Sequence, residues 1–512
     1  MRSQQRATTH RTPQMLRRDG WLLVGLKLLV SVLVLASGFR AISDDDYARV
    51  VLMQKWAAAP QLDPTHSSWL PFPFWVGGSA MLVFGSSLRV ARITALLLAG
   101  VSAWLLYRAA RLLVGPRYAF AGTFTALWLP WSAYLGASTV PEMVTAAGCV
   151  FALATVAPAA PGSKPVSPLW GAVALLPACL SRYEAWGVAG CFVLLLLWRR
   201  WRQRDTTSTV DQCRGWSAKV VWAALAVALT GPLLWLLYNA HAYRDAFRFA
   251  HRVSAYRAAL HGAESGLQVW LRYPSLLLRQ EPELALTAAL LMLWQWRRPR
   301  ALPASFGPIV CCAGLLVVAL AWAAGRGGAA THHAGRALLV VWLILAIYVG
   351  AEVRRRLTTR GRAGMVVALA IILVAGVTLL RPWYGHFEDY ARREGLTHFG
   401  ARVSAALANR RQPHKPTVLL NAVDYGYFAI QAGSGNPALW RLDRSLDPRL
   451  QRHPSVFSSC RAWRARVEQD GFLRYAATPQ RHSHTFLGQP LLSEAGWSLY
   501  AVKADVHCRS GE

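Results

Sequence analysis

The chain is short of acid. It sets 25 aspartates and glutamates against 56 lysines and arginines, a formal net charge of +31, yet only 16% of its 512 residues are charged. A soluble protein carries nearer a quarter. Nothing in it spells a Walker A loop or an HExxH zinc helix, which leaves an ATPase and a zincin without support. The eight cysteines show no CxxC or other metal spacing, so a zinc site is not expected. Two stretches, starting at Gly325 and Gly433, satisfy G-x-G-x-x-A. Neither sits between a strand and a helix with an acid about twenty residues on, so both read as turns. Internal repeats are lacking too.

What the chain has is apolar length: 54% hydrophobic residues and a mean hydropathy of +0.26. Apolar runs such as 24–35, 194–198 and 366–380 are separated by arginine clusters at Arg17-Arg18, Arg199-Arg200, Arg297-Arg298 and Arg354-Arg355-Arg356. Basic residues placed at the ends of apolar runs orient membrane spans, and that placement argues against a nucleic-acid partner. A crossing needs about 17–25 apolar residues. About eleven are expected on that length rule, at 21–39, 88–112, 119–137, 141–157, 168–181, 185–198, 218–238, 283–296, 305–324, 335–351 and 364–381. The fold class is therefore an all-α polytopic membrane protein. With the arginine-rich amino terminus inside, residues 1–20 form a cytoplasmic tail, 21–381 a transmembrane domain and 382–512 an extracytoplasmic domain, in the inner (plasma) membrane.

Two outer loops are large. Loop 40–87 holds two amphipathic stretches, 46–57 and 69–84, expected to lie on the membrane. Loop 239–282 is rich in Arg, His and Tyr. Beyond 382 the chain gains charge and loses long apolar runs. Strands at 417–421 and 438–442 with a helix at 425–431 suggest a small α/β domain. Within it, Cys460 and Cys508 are either a disulfide or two free thiols.

The sharpest local feature is Ser43-Asp44-Asp45-Asp46-Tyr47, directly after the first span. Three adjacent carboxylates repel one another, which raises at least one pKa unless cations lie near. A carboxylate so raised is a good general base for a hydroxyl or an amine. The same residues also fit a capping box, in which the acids only open a helix. Asp44, Asp45, Asp46 and Glu142 would in addition suit a divalent cation. Trp69, Trp75 and Trp131 read as interfacial anchors rather than sugar platforms.

The order of further elements resembles the GT-C superfamily of membrane glycosyltransferases, in the branch of protein O-mannosyltransferases and lipid A aminoarabinose transferases. After the acids come Asp63-Pro64-Thr65-His66-Ser67-Ser68-Trp69, then Phe84-Gly85, then Arg89 opening the next span. Thr139-Val140-Pro141-Glu142 begins another span, Ser181-Arg182-Tyr183-Glu184 forms a turn, and His332-His333-Ala334-Gly335-Arg336 opens a late span. The resemblance covers roughly residues 20–350. It departs from the branch in its triple acid, in His66-Ser67-Ser68 where relatives carry an H-P-P-like element, and in the appended tail.

The resemblance implies a polyprenyl-phosphate sugar as donor, with membrane lipid around it and a lipid, glycan or protein as acceptor. Its phosphate would face Arg182, Arg336, His332 and Arg89, with His66, Tyr183 and Glu184 nearby. Asp45 or Asp44 would act as base, with inversion at the sugar, and Glu142 would orient the base or the acceptor. No cofactor is expected, since that branch does not generally depend on a metal. The rival readings are a transporter, or a polymerase or ligase using a diphosphate-linked glycan. A transporter would place ionisable residues in mid-span, whereas the acids here gather at span ends.

Overall fold

A computed structural model of the chain describes residues 13–205, 216–259, 266–297, 302–326, 334–360, 387–408, 418–444, 455–482, 485–502 and 508. It is a helical membrane bundle with a small sheet near the carboxyl end. Among the described residues, four helices are each long and apolar enough to cross a membrane: α1 (Pro13–Ala36), α4 (Leu88–Val114), α10 (Ala218–Tyr243) and α14 (Phe306–Gly325). They turn large apolar side chains outward, among them Leu33, Leu97, Leu237 and Val318. Such exposure would be a liability in water and suits a lipid surround.

Between these four lie α2 (Asp45–Ala58), α3 (Phe72–Phe84), α5 (Ala119–Trp128), α6 (Pro130–Ala137), α7 (Glu142–Val156), α8 (Pro168–Cys179) and α9 (Glu184–Asp205). Then come α11 (Arg248–Ala259), α12 (Leu267–Gln280), α13 (Pro282–Arg297), the single turn α15 (Ala334–Ala337) and α16 (Leu339–Arg360). The expected span 364–381 lies outside the described residues.

The expected span 119–137 is two helices. Pro130 lacks an N–H and cannot continue a helix from within, so the chain turns at Leu129 and restarts. A second break, at 138–141, bends α6 against α7 by 119°. Elsewhere glycine brings helices into backbone contact. A Cβ on Gly122 would lie 2.6 Å from the Ile347 carbonyl oxygen, and one on Gly350 would lie 2.6 Å from that of Ala121. Helices α5 and α16 thus pack through small residues, as helices do where lipid offers no hydrophobic drive.

The carboxyl-terminal part opens with α17 (Phe387–Ala406). Its sheet has the order β2-β1-β3-β5-β4, from β1 (Val418–Leu420), β2 (Trp440–Leu442), β3 (Tyr475–Pro479), β4 (Pro490–Glu494) and β5 (Trp497–Ala501). The first three strands are parallel and the last two antiparallel. Helix α18 (Gly426–Ser434) links β1 to β2, and α19 (Cys460–Gln469) precedes β3. The strands expected at 417–421 and 438–442 and the helix at 425–431 are β1, β2 and α18. Cys460 and Cys508 form a disulfide, with Cα atoms 5.6 Å apart.

Helices α2 and α3 do not lie as a free pair on a membrane. Tyr47, Val50, Val51, Met53 and Phe74 share one core with Leu396, Phe399 and Ile430 of the carboxyl-terminal part. Gln54 donates from Nε2 to the Ala432 carbonyl at 2.8 Å. Gly435, in the left-handed region at φ 67°, comes so close to Ser86 that a Cβ would sit 2.6 Å from its carbonyl oxygen. Arg92 closes the joint with a two-pronged bond to Glu394, at 3.0 and 2.8 Å. Lipid-facing character is left to the end of α3, where Leu82, Val83 and Phe84 are exposed.

Candidate functional site

The three adjacent acids at the start of α2 have three different environments. Asp46 is buried and accepts four hydrogen bonds. Its Oδ2 takes the N–H groups of Ile42 and Ser43, at 3.0 and 3.4 Å. Its Oδ1 takes the Thr139 N–H at 2.8 Å and the Thr139 hydroxyl at 3.0 Å. Half of the expected capping box is therefore present, the acid reaching back to the Ser43 N–H. The same carboxylate pins the break between α6 and α7. Burial pushes its pKa up, against the pull of Arg336 and these donors.

Asp44 faces the carboxyl-terminal part. Its Oδ1 accepts from Arg393 Nε at 3.1 Å, and Arg393 also reaches Asp424 at 3.4 Å. Burial raises the Asp44 pKa although Arg393 opposes it. Asp45 faces the bundle, accepting from Arg336 Nη1 at 2.9 Å. Its side chain is 39% exposed, against 18% for Asp44, so of the three it offers the most open carboxylate.

Around Asp45 the bundle assembles a compact set of charges. Glu142 opens α7, at the end where the helix dipole favours an anion. It accepts from Arg182 Nη1 at 2.5 Å and lies 3.6 Å from Arg336 Nη1. Arg182, in the turn between α8 and α9, is bonded through Nε to Glu184. Arg336 also donates to the Ser43 hydroxyl. Four elements distant in sequence thus meet at one end of the bundle, as the order of the motifs suggested. The arginines at the far end of α7 are separate from this set. Arg199, for example, donates to the Val156 and Ala157 carbonyls, capping that helix.

The other expected residues lie beside the set or away from it. His66, at φ 47°, contacts the Tyr243 hydroxyl through Nδ1 at 3.2 Å, and its carbonyl accepts from Arg252 at 2.8 Å. Asp63 takes the Tyr243 hydroxyl at 2.8 Å, so this loop is tied to α10 and α11. Tyr183 stacks on Phe249 at 4.2 Å and receives the Trp235 indole N–H. Arg89 is exposed on the first turn of α4, apart from the cluster. His332 lies outside the described residues. Trp131, read as an interfacial anchor, is instead buried in the bundle against Trp342. Among the described residues no group of three His, Cys, Asp or Glu side chains is arranged to hold a metal. Asp45 and Glu142 share Arg336, while Asp44 turns to Arg393 and Asp46 to Thr139.

One member of the charge cluster was not foreseen. Arg49 stands four residues after Asp45 on α2, is 4% exposed, and feels the charges of Glu142, Asp45, Arg182 and Arg336. Its guanidinium lies 4.5 Å from the centre of the Trp69 ring and 5.6 Å from that of Phe74. The signal was in the sequence: an i, i+4 acid–base pair, Asp45 and Arg49, in the first two turns of α2. An apolar cavity opens beside the α6–α7 break, with Met53, Val76, Ala95, Leu135, Val140 and Met143 in its wall.

No family model matches the sequence, and no curated protein does. In shape the chain is similar to the crystal structure of ArnT from Cupriavidus metallidurans bound to undecaprenyl phosphate. The TM-score is 0.55 at 16% identity, over 96% of this chain and 99% of that one. The apo state of the same ArnT gives the same TM-score over 96% and 100%. An oligosaccharyltransferase from Archaeoglobus fulgidus is more distant, with a TM-score of 0.47, 12% identity, and coverage of 90% and 70%. The chain therefore shares the fold of ArnT over nearly its whole length.

Proposed function

We propose that this chain moves a sugar from a polyprenyl-phosphate carrier to an acceptor hydroxyl or amine at the extracytoplasmic face of the plasma membrane. The observation that carries the reading is one open carboxylate, Asp45, set against buried arginines at the loop-bearing end of a GT-C fold. A polyprenyl phosphate is a good leaving group because it departs as a stable anion, so little acid catalysis is needed. Cations to hold it are needed, and the guanidinium groups of Arg182 and Arg336 supply that charge in a site shielded from water.

Asp45 is the base in this reading. It removes the acceptor's proton as the acceptor attacks the anomeric carbon from the face opposite the phosphate, and the sugar inverts. Glu142 holds Arg182 and Arg336 in place. Asp44 and Arg393 join the base to the carboxyl-terminal part, where the acceptor approaches. The apolar cavity beside the α6–α7 break suits the first isoprene units of the carrier.

The orientation has its own support. A disulfide between Cys460 and Cys508 fits an oxidising compartment, and arginines gather at the opposite end of the bundle. The test is to incubate purified protein with radiolabelled polyprenyl-phosphate sugars and follow the release of free polyprenyl phosphate. Release that needs an added acceptor supports transfer. No release from any such donor would sink the reading in favour of transport or of a diphosphate-linked glycan donor.

A further inference from the structure

The two arginines that the motifs single out are already engaged by carboxylates of the protein. Arg182 is bonded to Glu142 and Glu184, and Arg336 to Asp45 and the Ser43 hydroxyl. Arg49 is different. Its Nε and Nη1 are buried and have no hydrogen-bond partner. A guanidinium taken out of water without a bonded anion is costly, and burial already holds its pKa below the ordinary arginine value. Carboxylates of the protein thus already hold Arg182 and Arg336, of which Arg336 keeps only Nε without a partner, whereas Arg49 has two unpartnered nitrogens.

The surroundings of Arg49 explain how it stays ready. Trp69 and Phe74, their rings stacked 6.1 Å apart, both lie within cation–π range of the guanidinium. A ring face attracts the flat side of the cation and makes no claim on its N–H edge. That edge carries the fork that matches two oxygens of a phosphate. Asp45 and Arg49, four residues apart, project from the same side of α2. An anion gripped by Arg49 is thereby placed beside the proposed base.

We propose that Arg49, held by Trp69 and Phe74, is the guanidinium that directly grips the phosphate of the lipid-linked donor. This rests on the reading of the chain as a polyprenyl-phosphate sugar transferase. Arg182 and Arg336 then supply background charge and positioning, and the phosphate completes the hydrogen bonding of Arg49.

The experiment compares wild type, Arg49→Lys and Arg49→Met in detergent. Two probes are used, a short water-soluble prenyl phosphate and inorganic phosphate, with the thermal midpoint recorded with and without each. Bound ligand raises the midpoint of the form that binds it. Wild type is expected to bind prenyl phosphate and Arg49→Met to bind it roughly 10- to 100-fold more weakly, the usual weight of a lost charge-assisted bond. Arg49→Lys keeps the charge without the fork and is expected to fall between them. Without ligand, Arg49→Met is expected to melt no lower than wild type, because an unpaired buried charge has gone.

Prenyl phosphate bound equally by wild type and Arg49→Met would overturn the proposal. So would a loss of unliganded stability in Arg49→Met with affinity unchanged in Arg49→Lys, which would make Arg49 part of the packing. Equal, Arg49-dependent affinity for inorganic phosphate would overturn the assignment to a lipid-linked anion. If wild type binds no prenyl phosphate and transfers nothing, the functional reading itself fails. Binding without dependence on Arg49 leaves that reading standing and removes only this inference.

Discussion

Asparagine substitutions at the three adjacent acids should separate scaffold from chemistry. In Asp46→Asn one carboxylate oxygen becomes an NH2 group. Whichever way the amide turns, that group faces two donors: the Ile42 and Ser43 N–H groups on one side, or the Thr139 N–H and hydroxyl on the other. Each buried donor left unsatisfied costs about 1–3 kcal/mol. The loss of stability for the two donors should come to about 2–6 kcal/mol on that scale, seen as a lower thermal midpoint in detergent. Asp45→Asn is different, because its side chain is 39% exposed and an amide oxygen can still accept from Arg336. Its stability cost should stay under about 1 kcal/mol, while sugar transfer falls about 100- to 10,000-fold with the loss of the base. Asp44→Asn should weaken the Arg393 contact and lower transfer more mildly. The three variants are compared by thermal melting and by transfer from a labelled polyprenyl-phosphate sugar. An Asp46→Asn protein that melts like wild type but transfers nothing, beside an active Asp45→Asn, would reverse the roles and refute the reasoning.

Further outcomes follow from the joint between the bundle and the carboxyl-terminal part. Burial alone would raise the Glu394 pKa, but Arg92, aided by Arg40, holds it below the ordinary 4.5. The stability it contributes is thus full above 4.5 and is lost as pH falls through the lower folded value. Glu394→Gln should flatten that acid limb in a melting-against-pH series. Gly435→Ala places a Cβ on the Ser86 carbonyl from a left-handed backbone. It should cost at least about 1 kcal/mol and increase hydrogen exchange in α18. Replacing Cys460 and Cys508 by serine opens a loop of 48 residues. That should cost about 4 kcal/mol on the loop-entropy scale, measured by denaturant unfolding of the carboxyl-terminal part.

Much of this fold can be read from the chain, because every expected span up to residue 351 coincides with one or two helices, although among the described residues only four helices have the length and apolarity of a full crossing. Pro130 marks one break in plain view. Other features need partners that are far away in sequence. The apolar side of α2 cannot say whether it meets lipid or protein, and it meets α17 and α18. The β4–β5 hairpin was not foreseen, since β4 is only half-covered and its residues, Pro-Leu-Leu-Ser-Glu, carry little alternation. Within the site, Glu142, Arg182, Glu184 and Arg336 come together as their motifs suggested. The division of labour among Asp44, Asp45 and Asp46 does not follow from adjacency. It depends on Thr139, 93 residues from Asp46, and on Arg393, 349 residues from Asp44. Arg49 is legible in the chain, because it stands four residues after Asp45.

The most direct measurement is the stereochemistry of a single turnover. Purified protein would be given a polyprenyl-monophosphate sugar of defined anomeric configuration and, in parallel, the matching diphosphate-linked sugar. The glycoside formed would be analysed by nuclear magnetic resonance. The expected result is product from the monophosphate donor alone, with the anomeric centre inverted, and none from Asp45→Asn. Product with retained configuration, or product only from the diphosphate donor, would contradict a single displacement driven by Asp45 with phosphate as the leaving group.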